Sequence, residues 1–300
     1  MLDLGVVILN WNTKDLLRRC LQTVLASEGD FTYQVVVVDN ASSDGSPDMV
    51  REEFPAVTLI SSEINGGYPY GNNLGLRDLG YGDDGTVEPG APRYALLLNP
   101  DTEVPTNSLY QMVKYMDDNP MVGVAGPKLV LPDGALDLAC RRSFPTPLVS
   151  FYRFSGLAKL FPNSSRFARY NMTFADPDDE LEVDSVVGAY MQVRREAIAD
   201  VGLLDETFFM YGEDLDWAYR IKEAGWKVFY NPAVTILHVK RAASRKSQRA
   251  QMEFYRAMLI FYRKHYRQQT PLPLHLIILM GILARGGRSI LPELHQPTSA

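Results

Sequence analysis

YALLLNPDTEV, residues 94–104, carries an apolar run straight into Asn99-Pro100-Asp101. Consecutive apolar positions leave no polar face for water, so the run reads as a strand buried on both sides, as in the centre of a parallel sheet. Pro100 cannot continue a central ladder and ends it. GVVILN (5–10), YQVVVVDN (33–40) and AVTLIS (56–61) have the same character. Helical signals lie between them. DLLRRCLQTVLAS sets Leu16, Leu17, Cys20, Leu21, Val24 and Leu25 at helical spacing, ASSDGSPDMVREEF begins with Ser and Asp capping residues, and GYPYGNNLGLRDLG is a glycine-rich helix entry. Strand and helix in alternation predict an α/β fold with a mostly parallel central sheet flanked by helices.

The strongest strands end on polar residues: Asn10, Asp39, and Asn99 with Asp101. In open α/β sheets ligands bind beyond the carboxyl ends of the strands, so these residues converge on one crevice. Any one of them can equally be a cap for the helix that follows. INGGYPYGNNLG has glycines at 66, 67, 71 and 75 but no G-x-G-x-x-G follows the first strand, and no P-loop sequence occurs. That disfavours a dinucleotide dehydrogenase or a P-loop NTPase and leaves other nucleotide binding open.

Further along, TNSLYQMVKYMDDNP is a helix closed by Pro120, and MVGVAGPKLVLPDG a strand and turn. Residues 141–180 are loop-rich and close to the site. LEVDSVVGAYMQVRREAIADVG gives two strands and a short helix. Residues 203–240 then set Asp205, Glu206, Glu213, Asp214 and Asp216 among Phe208, Phe209, Met210, Tyr211 and Trp217. Asp214 falls in the first turn of a helix, on the side of Trp217, Ala218 and Ile221. A carboxylate desolvated by aromatics gains proton affinity and suits a general base; an acid at a helix N-terminus also simply complements the dipole.

Composition sets the bounds. The chain has 300 residues, 46% hydrophobic and 22% charged, with a net charge of −6: ordinary globular material for one large domain or a domain with an appendage. Cys20 and Cys140 stand apart in apolar surroundings, which argues against a disulfide framework or zinc site and for a reducing compartment. The start lacks the cationic flank of a secretory leader. From His238 to Arg288 eleven Lys and Arg face one acid, Glu253. This stretch holds a basic amphipathic helix (247–269) and then an apolar run of about a dozen residues, short of the ~20 of a membrane span. A surface-lying membrane element and a helix packed on the catalytic domain both remain open. No nucleic-acid motif accompanies the charge, so no nucleic-acid partner is expected.

VVILNWN, VVVVDNASSDGS, NGGYPYGNN, LLLNPDTEV, GAYM and FFMYGEDLDWAYR followed by LHVK resemble, in order and spacing, the family 2 inverting glycosyltransferases of the GT-A fold, closest to the rhamnosyltransferase-like branch that acts on cell-surface polysaccharides and lipid-linked sugars. The resemblance spans residues 4 to 266. It implies a Rossmann-like GT-A catalytic domain over residues 1–240 that binds a nucleotide-sugar, with a helical C-terminal extension over 241–300.

The site roles below are what the resemblance implies. Asn99-Pro100-Asp101 stands at the family's D-x-D position with Asn for the first acid, so Asp101 would bind a divalent cation, Mg²⁺ or Mn²⁺, at the donor diphosphate, while Asn99 contacts the metal or sugar. Asp39 matches the pyrimidine-contacting carboxylate. Asn10 and Asn12 lie where the nucleotide sits, and Gly67, Asn72 and Asn73 match the base and ribose side. Asp214 matches the base that deprotonates the acceptor, with Glu213 as the fallback, and His238 a residue completing the metal or diphosphate site. The expected activity is inverting transfer of a sugar, rhamnose in this branch, from a dTDP- or UDP-sugar to a polysaccharide or polyprenyl-linked glycan acceptor in cell-envelope glycan synthesis, in the cytoplasm or at the inner face of the membrane. The alternatives are a sugar nucleotidyltransferase, whose glycine-rich basic signature ILNWNTKDLL lacks, and a non-catalytic binding module of the same fold.

Overall fold

A computed structural model of the chain describes residues 2–240, 248–287, 290, 291 and 293. Its strands are β1 (Leu4–Asn10), β2 (Tyr33–Asn40), β3 (Thr58–Ser62), β4 (Tyr94–Leu98), β5 (Thr102–Glu103), β6 (Val122–Val130), β7 (Leu181–Glu182), β8 (Tyr190–Arg194) and β9 (Lys227–His238). They form one sheet in the order β3-β2-β1-β4-β8-β6-β9-β5, with β7 beside β9. β1, β2, β3 and β4 are parallel, as are β6 and β9. β8 lies antiparallel between β4 and β6, so β6 and β9 run in the same direction as β1 to β4. The mostly parallel sheet is thus present, with β8 inserted against it.

The helices are α1 (Lys14–Leu25), α2 (Ser46–Glu53), α3 (Tyr68–Asp78), α4 (Ser108–Asp118), α5 (Pro147–Phe154), α6 (Leu157–Leu160), α7 (Arg195–Val201), α8 (Glu213–Glu223), α9 (Gln248–His265) and α10 (Leu272–Gly286). Val35 to Val38 and Ala95 to Leu98 are buried, as their unbroken apolar runs require. α1 turns Leu16, Leu17, Cys20, Leu21 and Val24 inward. α3 approaches the sheet closely: a Cβ on Gly75 would lie 2.5 Å from Val7 Cγ1, and one on Gly71 2.2 Å from Leu9 Cδ1. That contact sets the start of α3 beside the end of β2, where Asn40 Nδ2 donates to the Gly67 carbonyl at 3.1 Å.

Residues 141–180 contain α5 and α6 and are stapled by Arg141, whose guanidinium donates to the carbonyls of Asp176 at 2.6 Å and Ala175 at 2.7 Å. α9 packs on the α/β body through Phe208, Leu215, Ala257 and Phe261, and α10 packs on α9 through Ile282 against Leu259, with Ile290 beside them. Arg241, Arg245, Lys246 and Arg288 of the basic stretch lie outside the described residues. Among those described, no helix is long and apolar enough to cross a membrane. Both cysteines are free and buried; burial pushes the thiol of Cys20 up to about 12 and that of Cys140 to about 11, which leaves neither as a nucleophile.

Candidate active site

The end of β1 is knit to the loop after β2. Asn10 Nδ2 donates to Asp39 Oδ1 at 2.9 Å and to Ser42 Oγ at 3.1 Å, while the Ser42 amide donates to Asp39 Oδ2 at 2.8 Å. Asn12 Oδ1 accepts from the Ser43 amide at 2.8 Å. Asn12 (φ 53°) and Ala41 (φ 62°) sit in the left-handed region, uncommon for residues with a side chain, which marks a backbone held in a set shape. Asp39 keeps free lone pairs on each oxygen for a base N–H. Trp11, between the two asparagines, is 52% exposed and presents an open aromatic face.

α3 supplies the adjoining wall. Gly67 has φ 93°, and a Cβ there would lie 2.3 Å from the Phe209 carbonyl oxygen, so only glycine fits. Asn72 donates to the Tyr68 carbonyl at 2.9 Å, and its buried Oδ1 has no protein partner, an acceptor left for a ligand or water. Asn73 is differently placed. Its Nδ2 donates to Leu204 O and Glu206 Oε1, both at 2.9 Å, and its Oδ1 accepts from the Leu204 amide at 3.1 Å. Both ends of that amide are committed to the 204–206 loop.

Asp101 is held where β4 and β9 end. Its carbonyl accepts from the Val239 amide at 2.8 Å, and Thr102 pairs with His238 in the sheet. The Asn99 carbonyl closes the turn by accepting from Thr102 Oγ1 at 2.7 Å. His238 Nε2 lies 3.3 Å from Asp101 Oδ1, and its Nδ1 lies 2.8 Å from Asp137 Oδ2. Lys240 Nζ reaches Asp137 Oδ1 at 2.5 Å. Burial opposes ionisation of Asp137, but hydrogen bonds from His238 and Lys240 outweigh it and hold the carboxyl well below the usual range.

Glu213 and Asp214 open α8 and are both buried. Asp214 Oδ2 accepts from Arg142 Nη2 at 2.7 Å and from the Gly188 amide at 3.0 Å. Glu213 Oε2 is buried with no partner. Burial first, then the charge of Asp214, pushes the Glu213 carboxyl up to about 8. Tyr68 joins the two halves of the site. Its hydroxyl donates to the Gly188 carbonyl at 2.7 Å, and burial together with the charges of Glu213, Asp214 and Asp101 raises its pKa well above 10.0. The turn that carries Asp101 and the start of α8 therefore both lie close enough to Tyr68 for their charges to act on it.

The profile described as "Glycosyltransferase like family 2" matches residues 3–254. An N-acetylglucosaminyl-diphospho-decaprenol L-rhamnosyltransferase of Mycobacterium tuberculosis is 31% identical over 238 residues, covering 79% of this chain and 76% of the relative. The chain is a family 2 glycosyltransferase. Two solved structures share the fold of this family 2 glycosyltransferase. GalNAc-T7 with UDP, GalNAc and Mn²⁺ matches with a TM-score of 0.59 at 15% identity, covering 87% of this chain and 50% of that one, so the chain spans half the length of that protein. The mannosyltransferase PcManGT of Pyrobaculum calidifontis, in complex with GDP-Man and Mn²⁺, matches with a TM-score of 0.57 at 17% identity over 100% of this chain and 79% of its own.

The donor set of this glycosyltransferase fits a divalent cation. Asp137 occupies His238 Nδ1, the carboxylate–histidine arrangement that orients metal-binding imidazoles, and leaves Nε2, 3.3 Å from Asp101 Oδ1, as the nitrogen that would face a cation. Among the protein's own groups, burial lowers the proton affinity of the ring, but the hydrogen bonds to Asp101 and Asp137 prevail and raise it. No group of three or more His, Cys, Asp or Glu gathers here among the described residues. The protein would offer two ligands, which suits an ion that keeps water and takes phosphate oxygens. Sequence reasoning missed Arg142, Asp137 and Tyr68. Arg142 and Asp137 lie 72 and 101 residues from the groups they serve, and only the fold brings them together.

Proposed function

We propose that this glycosyltransferase transfers a sugar, rhamnose by analogy with the mycobacterial relative, from a dTDP- or UDP-sugar to a lipid-linked glycan at the inner face of the membrane. Asn10, Asn12, Asp39, Gly67 and Asn72 form the nucleotide wall, with the unpartnered Asn72 acceptor among them. Asn73 serves by fixing the 204–206 loop. Asp101 and His238 would hold a divalent cation, whose charge would offset that of the departing nucleotide. Asn99, two residues before Asp101 in the same turn, is assigned to the donor by that position.

The observation that carries the mechanism is the split between two adjacent carboxyls. Asp214 is anchored by Arg142 and the Gly188 amide, whereas Glu213 keeps an unpartnered oxygen and a proton affinity matched to neutral pH. Glu213, in the ionised fraction that grows as pH approaches about 8, therefore takes the proton of the acceptor hydroxyl, and Asp214 fixes the geometry and field around it, which reverses the preference of the motif alone. The activated hydroxyl attacks the anomeric carbon from the side opposite the nucleotide, the C–O bond to the diphosphate breaks, and configuration inverts in one displacement.

The test is release of nucleoside diphosphate from a panel of dTDP- and UDP-sugars with Mn²⁺ or Mg²⁺, with lipid-diphosphate acceptors supplied. Turnover of one donor, abolished in Asp101→Ala and lowered about 10²- to 10⁴-fold in Glu213→Gln, is expected. A mild loss in Glu213→Gln beside an inactive Asp214→Asn would return the base to Asp214. Donor binding without turnover, even with acceptor, would support the binding-module reading, which Asn99 in place of an acid favours.

A further inference from the structure

α10 is apolar on the side turned away from the protein. Ile282 and the half-buried Ile278, Leu279 and Leu283 face α9, yet Leu276, Ile277 and Met280 on the opposite side are 51%, 59% and 61% exposed. No Asp, Glu, Lys or Arg occurs from Leu272 to Ala284. A helix on a water-facing surface carries polar residues there, so this side is built for an apolar medium. At about 22 Å the helix is too short to cross a hydrocarbon layer of about 30 Å and has the length of one lying along a surface.

A second segment, more than a hundred residues away in sequence, adjoins it. Arg285 Nη2 donates to the Phe154 carbonyl at 2.8 Å, and its guanidinium stands 5.1 Å over the Phe154 ring, fastening the end of α10 to the end of α5. α5 and α6 with the residue after them expose Leu148, Phe151, Leu160 and Phe161. Charge selects the occupant. Residues 147–170 hold Arg153, Lys159, Arg166 and Arg169 with no acid, Arg267 precedes α10 and Arg285 closes it, in a chain of net charge −6. The charges of Arg267 and Arg263 reach His275 in the first turn of α10, adding to burial in lowering its proton affinity. A second copy packed on this face would set like charges against like, whereas anionic headgroups complement them.

We propose that α10 and the α5–α6 segment form one membrane-docking surface that lies in the headgroup and upper acyl layer of an anionic bilayer, with the outward face of α10 inserted. The proposal deepens the lipid-linked acceptor reading and rests on it for its purpose. α10 packs on α9 and α9 on Phe208 and Leu215, which flank the start of α8, so the helix stack sets the height of Glu213 above the lipid.

The test is flotation of the full chain with vesicles of phosphatidylcholine alone and of phosphatidylcholine with phosphatidylglycerol, without donor or acceptor. Binding to the anionic vesicles, weakened by salt, is expected to fall about tenfold or more in Ile277→Asp/Met280→Asp and several-fold in Phe151→Asp, with donor hydrolysis in each as in wild type. These side chains are exposed, so the variants keep the fold. Wild type that stays unbound, or variants that bind as well as wild type, would overturn the proposal. So would a lipid-free dimer that Ile277→Asp/Met280→Asp makes monomeric, since a second copy then covers the face. Vesicle binding by a protein that turns over no donor would support the surface and count against the transferase reading alone.

Discussion

Arg142 Nη2 stands 2.7 Å from Asp214 Oδ2, with both side chains nine-tenths buried. The same nitrogen donates to the Val186 carbonyl at 2.7 Å, so one guanidinium ties the acid of α8 to the segment that leads into β8. Replacing one member of a buried pair leaves the other charged and unpaired, and Arg142→Met is expected to cost about 3–5 kcal/mol. Urea unfolding measures it. Arg142→Met combined with Asp214→Leu should recover part of that loss, and a double variant no better than the single would show that the pair is not coupled.

Glu213 makes stability depend on pH. The folded protein holds its proton up to about pH 8, against 4.5 for the unperturbed group. The sign follows from linkage: the contribution is whole below pH 4.5 and is lost as pH rises through about 8, because ionisation then occurs in a desolvated site beside Asp214. Urea midpoints should therefore decline across this window in wild type and decline less in Glu213→Gln. Parallel profiles for the two proteins would reject the assignment.

Asp137 is not one of the proposed metal ligands, yet by holding His238 Nδ1 it leaves Nε2 as the nitrogen turned to Asp101. Asp137→Asn is expected to weaken Mn²⁺ binding in the presence of nucleoside diphosphate about 10- to 100-fold, measured by titration of free Mn²⁺. Nucleotide binding in a chelator should not change. Equal Mn²⁺ affinity in both proteins would remove His238 from the metal site.

Asp216 fastens the C-terminal helices to the catalytic helix. It is fully buried, with His265 Nε2 at 2.7 Å, Lys264 Nζ at 2.9 Å and Arg220 Nε at 3.0 Å. Burial opposes its ionisation, but the hydrogen bond to His265 and the charges of Arg220 and Lys264 prevail and bring the pKa down to about 2. Its contribution is present above 3.8 and is lost as pH falls through about 2. His265→Ala leaves two cations in place and is expected to cost about 1 kcal/mol, whereas Asp216→Leu strands three donors and should cost about 3–5 kcal/mol. Thermal and acid unfolding of the two variants would rank them, and equal losses would contradict the shared latch.

The sheet was legible because buried strands advertise themselves: Val35 to Val38 and Leu96 to Leu98 admit no other placement. The direction of β8 was not, since strand polarity is decided by its neighbours and YMQVR carries no sign of them. Asp101, Glu213 and Asp214 could be picked from motif and local chemistry. The anchoring of Asp214 could not, because it is held by an arginine that in sequence is indistinguishable from a surface one. Asn73 shows the converse: it shares a motif with Asn72, yet one residue along a helix is a rotation of about 100°, enough to turn it from the crevice to the 204–206 loop.

The position of β8 bears on how the chain assembles as it is made. β4 and β6 are neighbours only through β8, whose residues are synthesised some 60 positions after β6 closes. A nascent chain that ends before Tyr190 exposes the ladder edge of β4, with Leu96 to Leu98 along it, and unpaired apolar edges recruit other chains. Truncations placed between β6 and β8 should therefore aggregate, while the first fragment to stay in solution must extend past Arg194.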